Sequence, residues 1–264
     1  MLENKCSVIS FSGGMDSTSL LLHLLSKKHD IYAISFKYGQ KHVVEVELAK
    51  KNITYLKNNG FQDQITHKVF DISNILSNFN SSLIDKSQDI PEGFYESDSM
   101  KTTFVPNRNA IFFSLIYGYA ISLAKNYKEK ISISIGAHSG DHAIYPDCRL
   151  FFFEQLFKSF QIGNWDSESV ELYVPYISMD KKEILIDAEK SVNNLNLDFD
   201  TIFKNTITSY SPDNNGISSG KTGSDIERIL AFNSLNKKDP IQYQSSWEDV
   251  LDNALKTEKN FISE

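Results

Sequence analysis

Short apolar runs alternate along this chain with stretches whose apolar residues recur every three or four positions. The runs Ser7 to Phe11, Ile31 to Phe36, Ile65 to Phe70, Ile131 to Gly136 and Val170 to Pro175 read as strands. Ser17 to Ser26, Val43 to Asn58, Arg108 to Ala124, Leu150 to Phe160 and Lys181 to Val192 carry the helical spacing. Alternation of this kind is the mark of βαβ units, so the pattern predicts an α/β fold with a doubly wound, mostly parallel five-stranded, Rossmann-like sheet.

Two segments interrupt the rhythm. Residues 78 to 104, NFNSSLIDKSQDIPEGFYESDSMKTTF, are polar and longer than an ordinary connection, which predicts a lid over a site. Residues 205 to 224, NTITSYSPDNNGISSGKTGS, are rich in Ser, Asn and Gly; helical patterns follow at Asp225 to Leu235 and Trp247 to Leu255. The expected organisation is an α/β domain over 1–204 and a small helical appendage over 205–264.

Composition narrows the function classes. With 41% hydrophobic residues, 18 Phe and 12 Tyr in 264 residues, a sizeable core is available. Only Cys6 and Cys148 are present, too few for a disulfide framework or a thiolate-rich zinc site, and a reducing cytoplasm suits such a chain. No secretion signal or membrane-spanning run is evident. The formal charge of −7 argues against a general grip on nucleic-acid backbones.

The densest chemistry lies in VISFSGGMDSTSLLLHLL, residues 8 to 25. A strand that ends in a Gly-rich turn and opens a helix directs backbone N–H groups and the helix dipole at an anion, with phosphate the natural guest. Gly13 and Gly14 allow close approach and unusual backbone angles, while Ser12 and Ser17 add hydroxyls. Asp16 beside phosphate implies an intervening Mg²⁺. The turn lacks the Lys of GxxxxGK[ST], so it is not an ordinary ATPase loop. The bland alternative makes Asp16 and Ser17 simple helix caps.

SGGMDS resembles the pyrophosphate loop of the N-type ATP pyrophosphatases (PP-loop enzymes, adenine nucleotide alpha hydrolase-like), which cleave ATP to AMP and pyrophosphate. Further blocks narrow the resemblance: SFKYGQKH at 35–42, FVPNRNAIFFSLIYGYA from Phe104, IGAHSGDHAIYPDCRLFFFEQL from Ile135 and VPYISMDKKEI from Val174. They are similar in content and order to SFxYGQxH, VPGRNxxFLSLAxxYA, DxxGYPDCRxxF and TPLxxLxKxEI of the 7-cyano-7-deazaguanine synthase (QueC) family, over about residues 7 to 210.

The resemblance implies a ligase that adenylates the carboxylate of 7-carboxy-7-deazaguanine with ATP and Mg²⁺. Ammonia then gives an amide, and a second activation gives the nitrile. It implies catalytic roles for Asp16, Ser17, Lys181 and Arg108, and nucleotide contacts from Ser12, Gly13, Gly14, Asp16, Ser17, Ser35, Tyr38 and Gln40. Asp16 is the expected Mg²⁺ ligand. Asn109, Asp141, Tyr145, Asp147 and Arg149 are the expected substrate contacts, a carboxylate from Asp141 or Asp147 suiting the N–H edge of a deazapurine. Taken alone, Arg108 and Lys181 are equally solvated residues of a helix start, and Asp141 and Asp147 equally cap turns. Cys148 reads as a small buried residue, His42 as a helix-start residue, and His138 and His142 lack a third ligand at metal spacing.

The pattern departs from the family in two places. Its C-terminal zinc motif, TCY then CGxC then xxC, falls here on Ser209, Ser219, Thr222 and Asp225, so no thiolate survives and no zinc is expected. Asn107 replaces the Gly of VPGRN, and Asn tolerates left-handed backbone angles. A diverged family member could pass the activated carboxylate to another amine, including one on a protein, as QueC-like proteins of antiphage defence operons suggest; a non-catalytic nucleotide- or deazapurine-binding module is the other alternative. A tRNA thiolation enzyme would need reactive cysteines and a basic face, and asparagine or NAD synthetases share only SGGxDS. The family resemblance also implies a homodimer.

Overall fold

The computed structural model describes residues 5–39, 44–79, 81–84, 92, 98–127, 130–142, 145–209 and 216–263. Gln40, His42 and, of the expected lid over 78–104, residues 80, 85–91 and 93–97 fall outside them. The strands are β1 (Cys6–Ser10), β2 (Asp30–Lys37), β3 (Ile65–Asp71), β4 (Ile131–Ser134) and β5 (Val170–Leu172). All pair in parallel, in the order β3-β2-β1-β4-β5.

Side-chain alternation along the strands sends each face of the sheet into its own core. Ile9 of β1 and Ile31 and Ala33 of β2 enter one core with Phe11. There they meet α1 (Met15–Ser26), α2 (Val44–Leu56) and, further along the chain, α6 (Lys181–Asn194). Cys6, Val8, Ile34 and Phe36 point the other way and pack with α4 (Arg108–Ala124) and α5 (Leu150–Gly163). Helices therefore cover both faces, as the alternating pattern predicts.

The boundaries differ where the site is built. β4 and β5 stop at Ser134 and Leu172, earlier than their apolar runs suggest, because the next residues leave the sheet at its carboxyl edge. α1 begins at Met15, two residues before the periodic stretch, which places Asp16 and Ser17 inside its first turn. Short helices α3 (Ser73–Leu76) and α7 (Phe199–Phe203) contain too few turns to show a period.

The C-terminal helices α8 (Gly223–Ser234) and α9 (Trp247–Ser263) share a small cluster of Ile226, Ile229, Tyr243, Val250 and Ala254. Ala231 and Phe232 of α8 continue into the main core beside Phe203. Arg228 is wholly buried, paired with Asp239 at 2.6 Å and bonded to the hydroxyls of Thr206 and Thr208. Among the described residues no helix is long and apolar enough to cross a membrane.

Candidate active site

In a 3-2-1-4-5 sheet the connections leave β1 and β4 in opposite directions, and the crevice between their carboxyl ends is where open α/β sheets bind ligands. Here that crevice is a cleft of about 1230 Å³, open mouth included. The loop after β1 forms one wall and the segment after β4 the other, with Gly136 set close enough that a Cβ there would lie 3.2 Å from the backbone of Asp16 and Ser17.

The Gly-rich turn requires a left-handed backbone at one position. Gly13 has φ +83°, and a Cβ on it would lie 2.8 Å from Ala49 Cβ and 2.9 Å from the Glu45 carbonyl, so α2 presses directly on the turn. Gly14 has φ −73°, which any residue adopts; it serves as the N-cap of α1. No side chain caps that helix. Ser17 Oγ instead accepts from Gly13 N–H at 3.2 Å and lies 3.0 Å from Ser12 Oγ, shaping the turn rather than closing the helix end. The capping alternative for Asp16 and Ser17 is therefore not what the fold uses.

Lys181 stands at the first position of α6, directly after Asp180, which makes a capping box with Glu183. A lysine at a helix N-terminus opposes the dipole, yet its side chain is buried, 6% exposed. Its ammonium donates to Asp16 Oδ2 at 2.9 Å, lies 2.7 Å from His138 Nε2 and pairs with Glu227 Oε2 at 3.2 Å. Burial alone would lower the Lys181 pKa, but Asp16 and Glu227 outweigh it and hold the ammonium charged. Burial pushes the Asp16 carboxyl up, and Lys181 and His138 more than reverse this, keeping it below the usual carboxylate range. Its second oxygen, Oδ1, is buried and has no hydrogen-bond partner among the described residues.

Arg108, which also lines the cleft, opens α4, its guanidinium 5.8 Å from the Tyr38 ring centroid. Asn107 before it is left-handed at φ 57°, the geometry its amide side chain tolerates. Glu45 of α2 faces the same region, its carboxyl pushed up to about 7 by enclosure while Arg108 pulls it down. Phe36 and Phe112 stack at 4.1 Å and supply a flat apolar wall.

The expected residues separate into groups. Ser12, Gly14, Asp16, Ser17, Tyr38, Arg108, Asn109, Asp141, Tyr145 and Lys181 line the cleft. Ser35 lines it too, but its hydroxyl donates to the Phe11 carbonyl at 2.6 Å and meets His67, so its side chain is already engaged. Asn109 directs its amide at Cys148 Sγ and the Asp147 carbonyl, bracing the turn that carries Tyr145. Gly13 and Asp147 stand behind the lining, and Arg149 is exposed outside it. Both cysteines are buried, with the thiol of Cys6 pushed up to about 12 by burial and that of Cys148 raised well above its ordinary value, which disfavours the reactive thiolate at both.

Several groups escape sequence reasoning. Glu45 sits three residues after GQKH, and that proximity is the one available hint. His138 is wholly buried against Lys181, a role that metal-ligand spacing does not test. Ile207, Thr208 and Ser224 reach the cleft, and Glu227 reaches Lys181, from the C-terminal segment; only the tertiary fold brings them there.

The residues at the family's zinc positions form a different structure. Asp225 is buried, and its Oδ1 accepts from Ser218 Oγ at 2.6 Å. Its Oδ2 accepts from Ser209 Oγ at 3.0 Å, Thr222 Oγ1 at 2.8 Å and Thr222 N–H at 3.2 Å. Ser219 Oγ accepts from Lys221 N–H. Hydroxyl donors converging on one carboxylate do not make a zinc donor set, which calls for thiolate or imidazole.

A 3-2-1-4-5 parallel sheet with an uncapped helix behind a Gly-rich turn at its switch point, and Asp16 and Lys181 in contact there, defines a PP-loop ATP pyrophosphatase fold. The chain belongs to the QueC family: the model for "Queuosine biosynthesis protein QueC" matches residues 6–236. It is 40% identical over 237 residues to the 7-cyano-7-deazaguanine synthase of Pseudoalteromonas translucida, covering 90% of this chain and 98% of that one. It is 43% identical over 237 residues, with the same coverage, to 7-cyano-7-deazaguanine synthase 1 of Colwellia psychrerythraea. The Caldicellulosiruptor saccharolyticus synthase is 40% identical over 238 residues, 90% of this chain and 95% of that one. Membership makes the chain an ATP-dependent ligase-type enzyme that forms carbon–nitrogen bonds.

Proposed function

We propose that the protein is a 7-cyano-7-deazaguanine synthase working from 7-carboxy-7-deazaguanine, ATP and ammonia. The observation that carries this reading is the contact of Lys181 with Asp16 at the mouth of an uncapped α1, where a departing pyrophosphate would be received. In the first step a substrate carboxylate oxygen attacks the α-phosphorus, the bond to the bridging oxygen breaks, and pyrophosphate leaves with the electron pair. Ammonia then attacks the acyl carbon and expels AMP, giving the amide. In the second cycle the amide oxygen takes the adenylyl group and departs with it as AMP while the two amide protons are lost, leaving the nitrile.

The first-turn amides of α1 and the hydroxyls of Ser12 and Ser17 would cradle the pyrophosphate, with Lys181 offsetting charge as it accumulates. Asp16 Oδ1, buried without a partner among the described residues, is the oxygen that would hold Mg²⁺, and the ion when bound neutralises polyphosphate charge and polarises phosphorus. Arg108 and Tyr38 flank the flat wall of Phe36 and Phe112, which suits a deazapurine ring. Tyr145 and Asp141 line the same cleft. Zinc has no part in this reading, since hydroxyls and one carboxylate stand where the family has cysteines.

The test is incubation with 7-carboxy-7-deazaguanine, ATP, Mg²⁺ and ammonium, followed by liquid chromatography and mass spectrometry. AMP together with amide or nitrile is the expected result. ATP left intact in the presence of the deazapurine would refute the reading.

A further inference from the structure

Lys181 is in direct contact with Asp16 of the Gly-rich turn, and its ammonium is heavily contested. Asp16 approaches it from α1, Glu227 from α8, and His138 from the segment after β4. Asp141 adds a third negative charge nearby. The contacts are unequal in quality. Asp16 accepts a well-formed hydrogen bond, whereas Glu227 Oε2 lies 3.2 Å from the ammonium, with no hydrogen bond among the described residues, and is itself buried. His138 is overcommitted: Gly140 N–H points at Nδ1 at 3.1 Å and the Lys181 ammonium at Nε2 at 2.7 Å, while an imidazole offers at most one lone pair. If Lys181 turned to another anion, that lone pair would be free for Gly140.

We propose that Glu227 is a positioning residue that holds the Lys181 ammonium as counter-charge in the nucleotide-free enzyme and yields it to the polyphosphate, so that the C-terminal segment sets the strength of pyrophosphate binding. Coulomb attraction without hydrogen-bond alignment supplies a hold that a doubly charged or triply charged phosphate group overcomes. A buried carboxylate left behind carries a cost, which weakens retention of pyrophosphate and favours its release. Burial raises the Glu227 pKa although Lys181 lowers it, in keeping with a carboxylate only partly compensated. Nothing in the local sequence GSDIERIL marks Glu227 for this; α8 brings it there by packing on α6.

The inference rests on the polyphosphate-binding reading of the site but not on the identity of the acyl substrate, so its test uses inorganic pyrophosphate with Mg²⁺ and no deazapurine. Isothermal titration calorimetry on the full chain compares wild type, Glu227→Gln, Glu227→Asp, Lys181→Met and the Glu227→Gln/Lys181→Met double variant. Removing the charge should tighten pyrophosphate binding roughly tenfold, the scale of one charge-assisted contact. Glu227→Asp should stay near wild type, and the tightening should largely vanish in the Lys181→Met background. Damage to the fold weakens binding, so tightening is a readout that a merely structural role would not produce. Unchanged or weaker binding by Glu227→Gln, tightening by Glu227→Asp as well, or equal tightening with and without Lys181 would each overturn the proposal.

Discussion

Replacing Asp225 by alanine should loosen the C-terminal segment without any metal being involved. The carboxylate takes four hydrogen bonds, from Ser218 Oγ, Ser209 Oγ, Thr222 Oγ1 and Thr222 N–H, and the three hydroxyl-bearing residues are 1–2% exposed. It also forms the reciprocal half of the capping box that starts α8. A buried donor left without an acceptor costs about 1–3 kcal/mol. Against that stands the desolvation of the carboxylate, which already raises its pKa despite the hydroxyls. The balance is a destabilisation of about 2–4 kcal/mol, well below the sum of four bonds because the alanine variant no longer buries a charge.

The chain contains two tryptophans, and they divide the labour of the assay. Trp165 is 92% exposed, whereas Trp247 packs against both the main core and the C-terminal cluster. Urea unfolding followed by tryptophan fluorescence in a Trp165→Phe background therefore reports this segment. With a slope of about 2 kcal/mol/M, the midpoint should fall by roughly 1–2 M for Asp225→Ala. Asp225→Asn keeps one acceptor oxygen and should lose about half as much. Wild-type protein should give the same midpoint with and without EDTA. An unmoved midpoint in Asp225→Ala would refute the hydrogen-bond account, and a drop on adding EDTA would show that a metal holds the segment.

Other outcomes follow from the site. Asp16→Asn and Lys181→Met should each lower deazapurine-dependent AMP formation at least about 100-fold, read by chromatography of AMP, because each removes a charge that acts on the leaving pyrophosphate. Gly13→Ala should lower the melting temperature and weaken nucleotide binding together, since its φ of +83° and the 2.8 Å approach to Ala49 Cβ allow no relaxed side chain. Glu45 is raised from 4.5 to about 7, so the folded state binds its proton more tightly than the unfolded chain. Its contribution to stability therefore declines as pH rises from about 4.5 to about 7 and is level above that. Urea midpoints at pH 5 and pH 8 should differ less in Glu45→Gln than in wild type, and an equal difference would show that Glu45 titrates normally.

Much of the architecture was legible in the residues. Short apolar runs and helical spacings mark the five strands and the seven longer helices of the described residues, because burying an element requires a regular apolar pattern whatever surrounds it. SGGMDS and the blocks after it likewise declare a nucleotide loop, since backbone approach to phosphate demands glycine and local hydroxyls within a few residues. Asn107 announced its left-handed turn for the same local reason. Gly14 needs no unusual backbone angle, yet a Cβ there would lie 3.1 Å from the Ile207 carbonyl oxygen; the left-handed angle is required only at Gly13, where α2 packs on the turn.

What the chain order leaves open is which side chains meet across the crevice. The sequence alone determines the parallel α/β class, the Gly-rich turn, its Asp16 and the loss of all four zinc-position cysteines. The tertiary structure decides that Lys181, 165 positions away, closes on Asp16, that His138 and Glu227 crowd the same ammonium, and that three hydroxyls gather on Asp225. Local patterns record what each element must bury. Contacts between charges distant in sequence depend on how those elements pack, and a buried charge finds its partner only once packing has excluded water from both.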